Sequence, residues 1–215
     1  MKFDIPIRWL PCLALLALAA CSALPGKPTL PVAYDFGSGL PALSFATDAL
    51  PAIALAEIDT TGLVDSAAMT YRLQYADALQ LRTYATARWV LPPAQLVRQR
   101  IRERLGMRRP VLDAGEVLSQ QRFEGRLPRI LRLQLEEFSQ VFGSPGTSEG
   151  VVRLRATLVD STPQGERLVG QRVFAVRRPA ATADAAGGVQ ALTAATDAAT
   201  DELETWLERA APVGR

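Results

Sequence analysis

The sequence contains no histidine, and it has only two cysteines in 215 residues. Without histidine, the common zinc sites, the Ser-His-Asp triad and imidazole acid–base chemistry all lack their usual residue. A glycine-rich phosphate-binding loop with its lysine is also missing, which argues against nucleotide hydrolysis by this chain. A metal site made of carboxylates alone stays open, but no motif supports one.

The chain also lacks a clear excess of positive or negative side chains. The chain has 24 lysine and arginine residues against 22 aspartate and glutamate residues, which gives a formal net charge of +2. Proteins that bind nucleic acid need a clear basic excess, because they must neutralise phosphates. We therefore expect no nucleic-acid partner.

A long apolar run lies at the N-terminus, from Leu10 to Ala20, behind Lys2 and Arg8. It is too short for a permanent membrane-spanning helix. The run ends in the small-residue cleavage site Leu18–Cys21, so residues 1–20 are predicted to be a signal peptide that is removed. A cleavage site ending in cysteine resembles that of bacterial lipoproteins. The alternative is an ordinary signal peptide followed by an unrelated cysteine.

The lipoprotein resemblance implies a diacylglycerol on the thiol of Cys21 and an acyl chain such as palmitate on its amino group, and we expect no other cofactor. Cys12 would leave with the signal peptide, so the mature chain would keep no free thiol. In Gram-negative lipoproteins an aspartate at the next position usually signals retention at the inner membrane. Ser22 therefore resembles the sequence of an outer-membrane lipoprotein facing the periplasm. Residues 21–31, rich in proline and glycine, are predicted to be a lipidated, extended tether.

The remaining residues, 32–211, are long enough for one domain and alternate between two apolar periodicities. Apolar residues at three- and four-residue intervals predict helices at about 92–105 and 188–210, the second beginning after Gly187 and Gly188. Alternation with a period of two predicts strands. These are Val32–Phe36, Pro51–Ile58, Met69–Ala76, Leu79–Trp89, Leu131–Phe138, Val152–Leu158 and Leu168–Arg177. We expect a single α/β domain with a mainly antiparallel or mixed sheet covered by the two helices.

The first predicted helix and the residues after it are rich in arginine. They are Arg98, Arg100, Arg102, Arg104, Arg108 and Arg109. One interpretation is a cationic surface for phospholipid or lipopolysaccharide headgroups, or for an acidic partner. The alternative is a solvated helix face whose arginine stems cover apolar surface.

An enzyme without histidine or a free thiol would have to use acidic residues. Glu136 and Glu137 are expected on opposite faces of a strand, so their adjacent numbers do not make them a catalytic pair. Asp113, Glu116 and Asp160 are expected near the ends of elements, where solvation explains them. We therefore predict that the protein is not an enzyme. A carboxylate-dependent glycan hydrolase is a remote alternative.

The order of these features resembles the ABC-type transport auxiliary lipoproteins, a family that includes the PqiC-like proteins. The most specific segment runs from Met69 to Leu105. There a strand containing Tyr71, the aromatic residues Tyr84 and Trp89, a proline and a helix follow in the family's order. The resemblance extends over nearly all of the mature chain, so residues 32–211 are predicted to form the auxiliary lipoprotein domain.

This resemblance implies an outer-membrane partner of MCE-domain proteins, which carry lipid between two membranes under the drive of an inner-membrane ABC transporter. The chain would bind and position its partner, and ATP hydrolysis would belong to another subunit. Tyr84 and Trp89 would contribute to a docking surface or only seal the helix against the sheet. The arginines predicted to share such a partner or membrane surface are Arg98, Arg102, Arg108 and Arg109. The role is compatible with a homo-oligomer, and the alternative function is a structural or peptidoglycan-binding envelope lipoprotein.

Overall fold

Eight strands of one mixed sheet and three helices appear in the computed structural model, which describes residues 30–37, 50–60, 65–117, 127–162 and 164–210. In chain order they are β1 (Val32–Tyr34), β2 (Ile53–Thr60), β3 (Ala68–Leu73), β4 (Leu81–Trp89), α1 (Pro93–Gly106), β5 (Val111–Asp113), α2 (Ala114–Val117), β6 (Arg129–Ser144), β7 (Thr147–Thr162), β8 (Gly165–Pro179) and α3 (Ala185–Ala210). The prediction of a single α/β domain with a mixed sheet and two main helices is confirmed.

The central strand is β6, which is long enough to serve three neighbours. Its 16 residues pair along one edge with β7 in antiparallel register, from Ile130 opposite Val159 to Ser144 opposite Thr147. Along the other edge, its first half pairs in parallel with β2 and its last part with β3. β8 pairs antiparallel with the outer side of β7, so β6, β7 and β8 form an antiparallel meander. The flanks are β5 on β2, and β4 followed by β1 on β3.

The meander strands are longer than their apolar alternation indicates. β6 continues through Gly143 to Ser144, and its turn into β7 consists of Pro145 and Gly146. Across this turn the hydroxyls of Ser144 and Thr147 are 2.7 Å apart. The extension is possible because a sheet ladder is built from backbone groups and needs no apolar side chain. β5 and α2 have no sequence-based prediction, since elements of three or four residues show no periodicity.

A β-bulge in β6 places two neighbouring carboxylates on the same face. The register shifts between Leu135 and Glu137, which lies opposite Arg153. Glu136 is the extra residue, and its carboxylate accepts hydrogen bonds of 2.6 Å from Arg153 and Arg155 on that face. The prediction that Glu136 and Glu137 lie on opposite faces is therefore wrong, because a bulge interrupts the strict alternation of a strand.

Helix α1 agrees with the first predicted helix. Pro93 lies in its first turn, where a missing N–H costs nothing. Its apolar stripe faces the core, where Val97, Ile101 and Leu105 are at most 1% exposed. This spacing of four residues is the pattern from which the helix was predicted.

Helix α3 begins at Ala185, three residues before the predicted start, so Gly187 and Gly188 lie inside its first turn. Asp184 caps the helix. Its Oδ1 accepts a hydrogen bond of 2.8 Å from the N–H of Gly187. The prediction that the helix begins after the two glycines is wrong. Both glycines lie inside the helix, where the absence of a side chain allows neighbouring atoms to pack closely. A Cβ on Gly188 would lie 2.0 Å from Oε1 of Gln140.

The backbones of α3 and the sheet approach each other most closely at Gly150 of β7. A Cβ at this position would lie 2.5 Å from the backbone nitrogen of Leu192 and 2.6 Å from the carbonyl carbon of Ala191. The hydroxyls of Thr196 and Thr200 are also buried under the helix, and each donates to a helix carbonyl at 2.8 Å. Backbone therefore rests directly on backbone, and no larger side chain fits between them.

We expect Gly150→Ala to lower the free energy of unfolding by about 1–3 kcal/mol, because the added methyl group pushes α3 away from the sheet. Gly143→Ala is the matched control on β6, since its added Cβ would meet no atom within 4 Å. That control should change the free energy by less than about 0.5 kcal/mol. Urea denaturation followed by circular dichroism measures both variants. Equal free energies of unfolding for the two variants would contradict the close contact between Gly150 and α3.

Candidate functional site

Carboxylates of α3 bind two arginines of α1 and a third arginine just after its end, and we call this contact the α1–α3 seam. Its pairs are Arg100 with Asp197, Arg104 with Asp201 and Arg108 with Glu208. Arg100 forms a bidentate salt bridge, in which Nε and Nη2 donate to the two carboxylate oxygens of Asp197 at 2.7 and 3.1 Å. Its hydrogen bond with Asp197 is the main cause of the raised pKa of Arg100. Arg100 and Arg104 share a face of α1 because residues four apart in a helix lie on the same side.

The arginines on another side of α1 bind Asp113, at the end of β5. Nη2 of Arg102 lies 2.7 Å from Oδ2 of Asp113, and Arg98 donates to its Oδ1. Nη2 of Arg98 also lies 3.3 Å from Oε1 of Glu57. Nε of Arg98 donates a hydrogen bond of 3.3 Å to the carbonyl oxygen of Ala56. Asp113, one of the candidate catalytic carboxylates, therefore serves as the ion-pair partner of two arginines.

Arg109 lies inside the protein. It is 3% exposed, and its Nε and Nη2 atoms have no hydrogen-bond partner within the part of the chain that the structure describes. Burial lowers the pKa of Arg109, and burial likewise raises the pKa of Glu204. The attraction between these two groups opposes both shifts, because each stabilises the charged form of the other.

These contacts change the interpretation of the arginine-rich helix. The sequence suggested an unpaired cationic surface or a solvated face, but five of the six arginines have carboxylate partners and the sixth is buried. A paired arginine attracts a phosphate or an acidic protein less strongly than a free one. Arg102 and Arg108 keep side-chain exposures of 36% and 53%, so a partner would reach these two first. The signal that sequence reasoning missed is the complementary acidic spacing on α3, at Asp197, Asp201 and Glu208.

Trp89 is placed in the core. It is 1% exposed, and its ring packs edge-on against Phe36 and Phe138, with centroid distances of 5.7 and 5.5 Å. A docking surface needs a side chain that a partner can touch. The burial of Trp89 therefore fits a role in packing within the protein and not a place on a docking surface.

Tyr84 belongs to a polar network centred on Gln140, which is 0% exposed. The Tyr84 hydroxyl donates to Oε1 of Gln140 at 2.8 Å. The Gln140 amide donates to Oγ of Ser148 at 2.7 Å and to the carbonyl of Asp184 at 3.0 Å. Burial is the main cause that raises the pKa of Tyr84 to about 12, so the hydroxyl keeps its proton for this bond. The network ties β4, β6 and β7 to the start of α3.

The candidate catalytic carboxylates whose side chains the structure describes are bound to arginines. The hydrogen bond from Arg153 holds the pKa of Glu136 below its usual value, so this carboxyl stays ionised. Asp160 accepts a hydrogen bond of 2.8 Å from Nε of Arg129. The side chain of Glu116 lies outside the described residues. Across the described ranges, no group of three His, Cys, Asp or Glu side chains is placed to hold a metal ion.

A concave site lies between the residues that follow β1 and the middle of α1. Its volume is about 240 Å³, somewhat below the 300–1,000 Å³ that is usual for small-molecule sites. Its walls are partly apolar and partly charged, and they include Phe36, Leu91, Leu96, Gln99, Arg100 and Glu103. Arg100 is already engaged by the α1–α3 seam, so we assign no ligand to this site.

The outer edge of β8 has no strand partner among the described residues. β8 is 15 residues long, and β7 pairs with its inner edge. The strand carries four arginines and one glutamate. Arg167 and Arg177 bind carboxylates of β7, whereas Arg172 stacks over the ring of Phe174, 5.2 Å from its centroid. Sequence reasoning missed this edge because an edge position is a property of the strand order.

Residues 39–204 match the family model of the ABC-type transport auxiliary lipoprotein component. The match spans more than three quarters of the chain. The chain belongs to this family. Its members are auxiliary components of transport systems rather than enzymes. As lipoproteins they are anchored to a membrane. The function of the family is therefore an accessory role in transport.

Two solved structures show the same fold. A DUF330 protein of Xanthomonas campestris has a TM-score of 0.62 at 19% identity, and the alignment covers 84% of this chain and 94% of that one. An uncharacterized protein has a TM-score of 0.55 at 13% identity, with coverages of 76% and 97%. No curated protein sequence is significantly similar to this chain.

None of the helices in the described ranges combines the length and the apolar character needed to cross a bilayer. The predicted signal peptide, Cys21 and most of the predicted tether lie outside the described residues. Lipidation at Cys21 therefore stays a prediction.

We expect the Arg100–Asp197 pair to stabilise the fold. A double-mutant cycle with Arg100→Met and Asp197→Asn should give a coupling energy of about 1–2 kcal/mol, because the bond is two-pronged and charge-assisted. The side chain of Arg100 is also only 12% exposed. Arg108 with Glu208, whose exposures are 53% and 35%, is the matched control and should give less than about 1 kcal/mol. Urea unfolding measures both couplings, and a larger value for the control pair would contradict the leading role of Arg100 in the seam.

Proposed function

We propose that this protein is an accessory lipoprotein of an ABC-type lipid transport system, anchored in the outer membrane and facing the periplasm. It would hold an MCE-domain protein in position, while an inner-membrane ABC transporter supplies the energy. The observation that carries the proposal is the family match over residues 39–204. The described carboxylates support this non-catalytic role, because those discussed above are bound to arginines instead of facing one another across a cleft.

The anchor would be Cys21, the first residue after the predicted signal peptide. Its thiol would carry a diacylglycerol and its amino group an acyl chain. Each buried methylene contributes about 0.8 kcal/mol, and stable attachment takes two or more chains, so this modification alone would hold the protein. Ser22 supports the outer membrane as the destination, since the inner-membrane retention signal usually has aspartate there.

The docking surface would be the outer edge of β8. An edge strand offers backbone N–H and C=O groups that can pair with an extended segment of another protein. Arg172 and Arg178 have no carboxylate partner in the described ranges, so the edge favours an acidic segment. The partner would therefore add an extended, acidic segment to the sheet.

The same charges disfavour a second copy of this chain at that edge. An antiparallel pair of two β8 strands would bring eight arginines and two glutamates together, because each strand contributes four and one. Like charges that face each other across two strands are destabilising. A homo-oligomer would therefore assemble through another surface.

Cys21→Ala should remove the protein from the outer membrane, because the thiol that receives the lipid is lost. With a signal peptide that is cleaved without lipidation, the variant should be found in the soluble periplasmic fraction with an unchanged circular dichroism spectrum. Density-gradient fractionation and immunoblotting measure its location. Cys12→Ala, in the predicted signal peptide, is the control and should keep the outer-membrane location. A Cys21→Ala protein that stays with the outer membrane would show that another segment anchors it.

A photo-crosslinking residue in place of Gln171, exposed on β8, should capture an MCE-domain protein in cells. The same residue in place of Glu202, exposed on α3, is the control and should capture it far less. Mass spectrometry identifies the captured protein. Equal capture from both positions would reject the β8 edge as the docking surface. Recovery of wall fragments or a porin, and never an MCE-domain protein, would favour the structural envelope lipoprotein instead.

A further inference from the structure

The turn between β3 and β4 presents a leucine to solvent, and we call residues 74–80 the hairpin tip. Every residue of the tip is exposed. Leu79 is 92% exposed, and Tyr75 is 48% exposed. A single exposed apolar residue is ordinary on a protein surface. Two such residues at the end of one projecting turn make a small apolar tip.

Hydrogen bonds hold this turn in shape. The carbonyl of Leu73 accepts from the N–H groups of Ala76 and Asp77 at 2.9 and 2.8 Å. Oδ1 of Asp77 accepts from the N–H of Leu79 at 2.9 Å. Nη1 of Arg72 donates to the carbonyl of Leu79 at 3.4 Å. The exposure of Leu79 is therefore a defined feature of the turn, because its own N–H and C=O are both bound.

The first residue of β1 and the hairpin tip can be compared because β1 and β4 are neighbouring strands. β1 runs parallel to β4, with Val32 opposite Ala87. β4 leads away from the tip, so the first residue of β1, Val32, is at the end of that strand that points toward the tip. Cys21 precedes Val32 by 11 residues, which span up to about 36 Å. Along β4, the six steps from Leu81 to Ala87 span about 20 Å. A membrane at the tip is thus within reach of the proposed anchor.

From this placement we infer that the hairpin tip inserts into the interface of the bilayer that holds the lipid anchor. The inference rests on the anchor at Cys21 proposed above. Leu79 would enter the acyl boundary and Tyr75 would lie at the headgroup level, where its apolar ring and polar hydroxyl are both satisfied. Arg82, near the start of β4, would face lipid phosphates. The acyl chains would give attachment, and the tip would give the body a fixed orientation.

The test uses the lipidated protein, purified from membranes and reconstituted in vesicles of phosphatidylethanolamine with a minority of phosphatidylglycerol. Leu79→Cys provides a thiol for an environment-sensitive fluorescent label, while acylated Cys21 does not react. Leu168→Cys is the matched control, because Leu168 is 62% exposed on β8. Leu168 lies opposite Val159, whose other partner is Ile130 at the start of β6, so it is at the far end of the sheet.

The label at position 79 should gain several-fold in fluorescence and be quenched by lipids brominated in their acyl chains. The label at position 168 should remain in water. A second pair of variants excludes an effect of the label. Tyr75→Cys should be quenched in the same way, and adding Leu79→Asp should abolish that quenching, because a charged residue resists entry into the bilayer. Both positions are exposed, so these changes leave the core intact.

The possible failures are distinguishable. If the protein floats with the vesicles but position 79 is not quenched, the inference is overturned and the anchor stands. Equal quenching at positions 79 and 168 overturns it too, because the body would then lie flat on the bilayer. If the native protein purified from membranes carries no lipid on Cys21 and does not float with the vesicles, both proposals are overturned. Capture of a protein instead of lipid by a photo-crosslinker at position 79 in cells would assign the tip to a protein interface and overturn the inference.

Discussion

The direct contact between α3 and the meander is the constraint on which the rest of the molecule depends. Gly150 lets the backbone of β7 approach Ala191 and Leu192, and Gly188 leaves room for the buried amide of Gln140. Because protein interiors are close-packed, a methyl group at Gly150 would press on the backbone of α3, and one at Gly188 would displace the side chains of Gln140 and Met69. The position of α3 then sets the acidic side of the α1–α3 seam, and with it the place of α1.

This arrangement determines where the protein can meet other molecules. The arginines of α1 that suggest a cationic surface bind Asp113 and the carboxylates of α3 instead. Their charge stabilises the fold and is largely neutralised within it. The two proposed contact surfaces, the outer edge of β8 and the hairpin tip, lie at the periphery of the sheet. The proposed role of holding and orienting a neighbour would need only such surfaces and an anchor.

Sequence periodicity predicted much of this architecture, and its failures have local causes. The stripe of α1 and the meander strands were predicted because their buried positions recur at regular intervals. The bulge at Glu136 was not predictable, since one extra residue in a strand leaves no mark on composition. The start of α3 was misplaced because glycine marks both a helix end and a close contact, and only the neighbouring Gln140 shows which applies.

The sequence by itself determined the longer helices and strands, the family resemblance and the absence of histidine chemistry. These follow from residue type and from the order and spacing of residues along the chain, which the sequence displays directly. Tertiary structure alone decided that Trp89 is buried, that Arg100 binds Asp197 and that β8 lies at an edge. The physical reason is distance along the chain. Arg100 and Asp197 are 97 residues apart, and their meeting depends on how the whole sheet orders its strands and seats both helices.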